Sequence, residues 1–276
     1  MTATQIRFLT LVRREVSRFM KIKRQTVGAP LLETFLYISV FGAALGSRIS
    51  TLHGFDYVVF IIPGLIMMAW AINSFTNNAS SILQQKFQRS IDDQLSSPAS
   101  PLELLLAFSL GGFLRGMLVA LLTFVAASIL VDLPVEHVVI AVLTFSAASV
   151  LVGIPIEHPF VLLPALFLVG FFFAQLGVLV GVRAEQFDDV SFAQTFVLTP
   201  LIFLGGVFYS ASLLPEPFQT LTHLDPVYYM INLVRYGFIG YSEANVALSL
   251  GLLALAAGAL FTLNYTLFKR GYKLRA

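Results

Sequence analysis

Residues 204–238 read LGGVFYSASLLPEPFQTLTHLDPVYYMINLVRYGF. The stretch is largely apolar, yet it carries Pro215, Pro217, Asp225, Pro226 and Arg235 where a clean span could stand. Pro226 to Gly240 gives roughly 22 Å of helix at 1.5 Å per residue, short of a hydrocarbon core of about 30 Å. Asp225 before Pro226 is a helix start: the carboxylate accepts from an orphan N–H, and proline occupies a position whose N–H has no partner anyway. Pro215 and Pro217 end the preceding span, and Phe218, Leu221 and Leu224 make a short second apolar stripe. Two short helices meeting at His223 to Pro226 form a hairpin over residues 215–240 that enters the membrane without crossing it. Lipid cannot satisfy the backbone of its loop, so the hairpin borders protein or a water-filled pathway.

The chain around this stretch is built for a bilayer. Of its 276 residues 57% are hydrophobic and 12% charged, about half the charged fraction of an ordinary soluble domain. The expected fold is all-α and polytopic, with six transmembrane helices at 31–51, 57–81, 104–131, 160–182, 191–214 and 244–268. No ionisable side chain occurs between Tyr57 and Gln85, a run well beyond the ~20 residues a span needs. Glu33 and Arg48 fall near the ends of the first span, where a charge reaches the interface. Residues 1–25 repeat Ile6, Leu9, Val12, Val16 and Phe19 at helical spacing, with Arg7, Arg14, Arg18 and Lys21 on another face. That is the pattern of a helix lying in the plane of an anionic leaflet. No cleavable leader is expected, because the first thirty residues lack an uninterrupted apolar core.

Arginine and lysine set the orientation. Arg7, Arg13, Arg14, Arg18, Lys21, Lys23 and Arg24 precede the first span, and Lys269, Arg270, Lys273 and Arg275 follow the last. Both termini are therefore expected in the cytoplasm, which requires an even number of crossings. One segment strains that count. TFVAASILVDLPVEH, from Thr123, recurs as TFSAASVLVGIPIEH from Thr144. Two copies do not make a repeat architecture, and the duplicated piece at 138–154 is read as an insert that does not cross.

Within the apolar regions a few residues invite a role. Asn73, Thr76, Asn77, Ser80 and Ser81 form a polar stripe on the second span, open to two readings: bonds between helices or the lining of a pathway. Phe203, Phe208, Tyr209, Tyr228 and Tyr229 are candidates for an amphipathic exit, although aromatic residues are common at membrane interfaces. Arg115 is read as snorkelling to the inner headgroups or paired with an acid such as Glu103, and Gly205 and Gly206 as sites of close helix packing. The chain has no cysteine and four dispersed histidines, so no metal site is expected. The Glu-His pairs at 136/137 and 157/158 carry no assigned chemistry. A net charge of +2 gives no ground for nucleic acid as a partner.

Residues 196–240, FVLTPLIFLGGVFYSASLLPEPFQTLTHLDPVYYMINLVRYGFIG, strongly resemble the signature of ABC-2 type transporter permease subunits, in their YadH-like branch. HGFDYVVFIIPGLIMM from His53, Phe87 to Asp92, GGFLRG from Gly111 and FDDVS from Phe187 support the resemblance. It covers nearly the whole chain, and the duplication is its one departure. The resemblance implies a bacterial inner-membrane homodimer that binds two copies of a separate cytoplasmic ABC ATPase and exports a lipid, glycan or drug-like molecule. It makes residues 84–98 the coupling loop, with Phe87 as apolar anchor and Lys86, Arg89, Asp92 and Asp93 as polar contacts. ATP and Mg would then sit on the partner, and the residues agree: no G-x-x-x-x-G-K-[ST] occurs, so the chain has no P-loop to cradle phosphates. An ion-driven secondary transporter is the alternative class. An intramembrane enzyme is disfavoured, since no acid, base and nucleophile converge at depth.

Overall fold

The computed structural model describes residues 2–44, 46, 48, 49, 51–130 and 156–274. The insert at 138–154 and the Glu-His pair at 136/137 lie outside the described residues.

Helix α1, Ala3–Lys21, opens with a capping box in which Thr2 and Gln5 exchange side-chain and backbone bonds. Ile6 and Leu9 are exposed, whereas Glu15 and Phe19 are buried against the bundle. A π-helical turn, Arg24–Gly28, follows, and the buried Thr26 hydroxyl donates to the Phe19 carbonyl at 2.9 Å, fixing the corner. Helix α2, Ala29–Ala44, then climbs away. With the π turn it makes a helical run over 24–44, about 31 Å long.

The first span was expected to continue to residue 51, but helix α2 stops at Ala44 and the chain makes a small antiparallel hairpin, β1 Thr51–Leu52 with β2 Phe55–Asp56. His53 and Gly54 both have positive φ, 52° and 86°, as a tight primed turn demands. Among the described residues this is the one departure from an all-helical chain. Arg48 lies beyond α2 rather than at the end of a span.

Helix α3, Tyr57–Phe87, is the axis of the molecule. Helix α4, Ser90–Ser96, is short, and α5 runs Pro101–Leu130. Helix α6 is Pro159–Arg183, and α7, Phe187–Leu204, contains a second π turn at Ala193–Leu198. Helices α8, Glu216–Leu224, and α9, Pro226–Ile239, meet at Asp225, and α10 is Val246–Arg270. Among the described residues five helices, α3, α5, α6, α7 and α10, are long and apolar enough to cross a membrane; α2, without the π turn before it, is shorter.

Contacts fix their directions. The Asn78 amide donates to the Ala174 carbonyl at 2.9 Å, and Trp70 lies against Gly170, so α3 and α6 run parallel. Gln175 donates to Ser109 at 2.7 Å and the Phe113 and Phe167 rings lie 5.4 Å apart, so α5 and α6 run antiparallel. Helix α6 therefore begins on the face where α5 ends. Gly170, Gly177 and Gly181 form a stripe on α6, and a Cβ there would run into the Trp70 ring, the Phe75 carbonyl and the Ala79 carbonyl. Small residues let two membrane helices touch backbone to backbone, where dispersion rather than water expulsion holds them.

The fifth span, expected over 191–214, begins and ends earlier. Gly206 has φ +89°, a conformation open to glycine at little cost, and it turns the chain out of α7. The residue's role is the turn rather than the close packing expected of it; Gly205 takes the packing role, with Tyr228 N and Ile231 Cδ1 3.1 Å from where a Cβ would sit.

Candidate coupling and gate sites

At one end of the bundle, α3 ends at Phe87 and the chain reverses through Arg89, whose φ is +56°, into α4. Two buried side chains, Ile91 and Gln94, seat this helix. Asp92 and Asp93 lie in its first turn, where carboxylates complement the exposed backbone N–H groups. Phe87 is 65% exposed and Phe187, from the start of α7, is 48% exposed; their ring centroids are 5.6 Å apart. The two loops thus present one aromatic knob. Lys86 is turned away from it. Its ammonium donates to the carbonyls of Val182 and Ala184, at 2.9 and 2.7 Å, and closes the end of α6. The surface contact expected of Lys86 is replaced by a structural one.

Behind α4 runs a polar relay that sequence reasoning missed. Gln94 donates to the Gln85 side-chain oxygen. The Gln85 amide donates to Glu15 Oε1 and to Ser81 Oγ, both at 3.0 Å, and Ser81 donates to Glu15 Oε2 at 2.6 Å. Arg18 lies 3.5 Å from the same carboxylate and donates to Asn77 Oδ1 at 2.7 Å. Burial lowers the Arg18 guanidinium below its ordinary range, with Glu15 acting against that shift. Helix α1 is thereby tied to α3 and to α4. The only signal in the sequence was that Glu15 is the sole acid of a basic segment.

The polar stripe divides. Asn77 is fully buried and serves Arg18 and Asn78, the helix-bonding reading. Asn73 bonds back to Ala69 O at 2.9 Å and lines a narrow cleft with Glu33, Tyr37 and Met68, between α2 and α3. Thr76 donates to Gln194 of α7 at 3.0 Å. Among the described residues Arg115, 4% exposed, has no ion partner, and Glu103 instead pairs with Arg7 at 3.6 Å. A buried Arg115 does not reach out to headgroups, and the Glu103 suggested as its partner is taken by Arg7.

The aromatic candidates separate in the same way. Phe203 and Phe208 join Tyr37 and Phe41 of α2, with Phe41 and Phe208 stacked at 4.1 Å. Tyr209 donates to the Leu204 carbonyl at 2.8 Å. Tyr229 faces the other way and lines an apolar groove with Phe172, Met230 and Leu252. Tyr228 is buried in a third cluster.

That cluster closes the opposite end of the molecule, around Glu243. Ser210 donates to its carboxylate, as do Ala211 N at 3.1 Å, Tyr241 OH at 3.3 Å and Tyr228 OH at 3.5 Å. Glu243 N donates to Asn232 Oδ1 at 3.0 Å. His53, from the β-hairpin, stacks on Tyr241 at 4.4 Å, with Nε2 2.9 Å from Ser210 Oγ and 3.6 Å from Glu243 Oε1. Burial and the neighbouring carboxylate push the Tyr241 phenol up to about 12, so it stays a hydrogen-bond donor. Serine, histidine and carboxylate meet here without forming a catalytic relay. A triad holds the acid on the imidazole nitrogen remote from the nucleophile, and here one nitrogen faces both. No better signal marks this cluster in the sequence than Glu243 being the last acid of the chain.

The hairpin residues support that closure. Pro215 precedes α8 and Pro217 lies in its first turn, while Asp225 Oδ1 accepts from Val227 N at 2.9 Å and Pro226 opens α9. Arg235 is 1% exposed, donates to the Gly206 carbonyl at 2.8 Å and lies 4.0 Å over the Phe60 ring. One cation thus ties α9 to the end of α7 and to α3. The second Glu-His pair is structural as well: Glu157 N and His158 N donate to the Phe238 and Gly237 carbonyls at 3.2 and 3.1 Å, and the His158 ring stacks on Tyr236.

Comparison with known proteins places this architecture. The family model for ABC-2 type transporters matches residues 6–127 and 120–239, the two pieces overlapping in the first copy of the repeat. The chain is 38% identical over 263 residues to the inner membrane transport permease YadH of Escherichia coli (strain K12), covering 95% of this chain and 94% of that protein. It is 24% identical over 274 residues to nodulation protein J of Rhizobium leguminosarum bv. viciae, covering 96% and 95%.

Proposed function

The chain belongs to the ABC-2 type transporter family, and from that premise we propose that it is the membrane-spanning permease subunit of an ATP-driven exporter. Two copies form the transport unit in a bacterial inner membrane, and each binds one copy of a cytoplasmic ABC ATPase. The substrate is a lipid, a glycan or a drug-like amphipathic molecule. ATP and Mg act on the partner chain.

The observation that carries this reading is the Phe87–Phe187 knob beside α4. An exposed aromatic pair framed by Arg89, Asp92 and Asp93, on a helix anchored from behind by Ile91 and Gln94, fits the apolar centre and charged rim of a protein interface. Six crossings by α2, α3, α5, α6, α7 and α10 put this knob, α1 and the basic C-terminal turn on one face, which the excess of arginine and lysine assigns to the cytoplasm. The hairpin α8–α9 then lies at the outer end as a re-entrant cap. Helix α7 supports the dimer: 17% of its apolar window is buried, against 61–72% for α3, α5 and α6, leaving a face for the second copy. The cleft between α2 and α3 and the cluster of Tyr37, Phe41, Phe203 and Phe208 lie beside that face and line the route.

ATP-driven approach of the two ATPases pushes on α4, and the Gln94–Gln85–Glu15 relay makes α1 and α3 move with it. The test is reconstitution with the ATPase. Export that requires ATP hydrolysis and stops when the ATPase is omitted is expected. Export driven by an ion gradient with no ATPase present would select the secondary-transporter class instead.

A further inference from the structure

We infer that the cavity where α4, α5 and α10 meet is a seat for an anionic phospholipid, with the lipid phosphate held by Lys269 and Arg270. The cavity encloses about 380 Å³ and is lined by Leu95 of α4, Pro101 and Leu104 of α5, and the Phe268–Gly271 end of α10. That volume lies in the range of small-molecule sites.

Its two chemistries match the two halves of such a lipid. Leu104 and Phe268 are 3% and 4% exposed and belong to the apolar cluster at this end of the bundle. The rim is cationic and uncompensated. Among the described residues neither Lys269 nor Arg270 has an ion partner, whereas the acids Glu103 and Glu185 are taken by Arg7 at 3.6 Å and Lys273 at 2.8 Å.

Position selects a lipid over a protein segment. Leu248, Leu252, Leu255 and Leu263 are exposed along helix α10, an apolar track that leads to the cavity. The cavity sits where this apolar helix gives way to its basic end. An acyl chain lying along α10 brings its phosphate to Lys269 and Arg270 with no further rearrangement. Leu274 folds back into the cluster that also contains Ile91 of α4, so the seat adjoins the coupling helix. The inner-leaflet placement of the seat rests on the topology proposed above; the lipid chemistry rests on the cavity alone.

The test uses the purified full-length permease without any ATPase, in non-ionic detergent, titrated with phosphatidylglycerol or phosphatidylcholine and read by native mass spectrometry. The wild type is expected to retain phosphatidylglycerol in preference to phosphatidylcholine. A cation facing an anionic membrane surface contributes about a fivefold change in affinity, so Lys269→Ala with Arg270→Ala is expected to weaken phosphatidylglycerol roughly thirty-fold. Phosphatidylcholine, whose phosphate is offset by its own ammonium, should weaken much less, and inorganic phosphate should not compete. Both replaced side chains are exposed, and Lys269→Arg with Arg270→Lys, which keeps the charge, should retain the lipid. Equal retention by wild type and the alanine variant overturns the proposal, as does displacement by phosphate, which would mark a free-anion site. Failure of ATP-driven export, by contrast, leaves this measurement untouched.

Discussion

The Phe87 ring lies 5.6 Å from the Phe187 ring although the two residues end different loops, and both rings face outward. A shared apolar knob is the form a binding hot spot takes, since a desolvated aromatic anchor supplies most of the energy of a small interface. Phe87→Ala is expected to weaken binding of the partner ATPase by about 2 kcal/mol, roughly thirty-fold in Kd. Phe187→Ala should act in the same direction, and the double variant should cost less than the sum because the rings contact each other. Titration of the ATPase against permease in nanodiscs measures this. Unchanged affinity in both single variants would remove the knob from the interface.

Glu15 stands behind that knob with Ser81, Gln85 and Arg18 around it. Removing one member of a buried ionic pair leaves the other charge unsatisfied. Glu15→Ala is therefore expected to lower stability by about 3 kcal/mol. Glu15→Gln keeps the volume and part of the bonding and should cost less. The melting temperature of the purified protein reads both. If the relay also transmits force, Glu15→Gln at intact stability should reduce ATP-driven transport more than ATPase binding.

How far these features were legible follows from the range over which each is encoded. Helices α3, α5, α6 and α10 are long apolar runs whose charges, Arg115 aside, stand near their ends, and a window of hydropathy contains most of what specifies them. The breaks that bound α8 and α9 were legible for a related reason, because Pro215, Pro217 and the Asp225–Pro226 cap act within a few residues. The ends of α2 and α7 were not. The apolar run persists beyond Ala44 and beyond Leu204, while the turns at His53–Gly54 and Gly206 depend on backbone angles that hydropathy does not report. The clusters around Glu15 and Glu243 were invisible because their members come from distant helices. An acid on an amphipathic helix looks solvated until the facing Ser81 and Gln85 are known.

The stripe of Gly170, Gly177 and Gly181 predicts a packing defect. A methyl at Gly177 would meet the Phe75 carbonyl oxygen, backbone that cannot swing aside. Gly177→Ala is expected to destabilise the bundle by about 1–3 kcal/mol through forced separation of α3 and α6. Gly251→Ala on α10, where nothing lies within 4 Å, serves as the control and should be near neutral. Thermal unfolding in detergent compares the two.

Glu243 gathers groups from four places: His53 from the β-hairpin, Ser210 and Ala211 from the turn after α7, Tyr228 from α9, and Tyr241 beside it. Because these groups have no other common partner among the described residues, the carboxylate is the element that draws the turns at this end of the bundle together. Glu243→Ala leaves the Ser210 and Tyr228 hydroxyls and the Ala211 N–H to find new acceptors, at about 1–3 kcal/mol for each one that stays buried and unpaired. Glu243→Gln keeps an acceptor oxygen but adds donors that face Ser210 and Tyr241, so it should relieve only part of the loss. The hairpin α8–α9 retains its Arg235 tie to Gly206 and Phe60 in both variants, so the helices themselves should persist. The expected result is faster amide exchange confined to 206–214 and 240–245, larger for Ala than for Gln, with α3 and α6 unchanged. Uniform acceleration across the molecule would mean that Glu243 supports the whole fold. No acceleration at all would mean that the turns are held by their apolar contacts and that the carboxylate closes nothing.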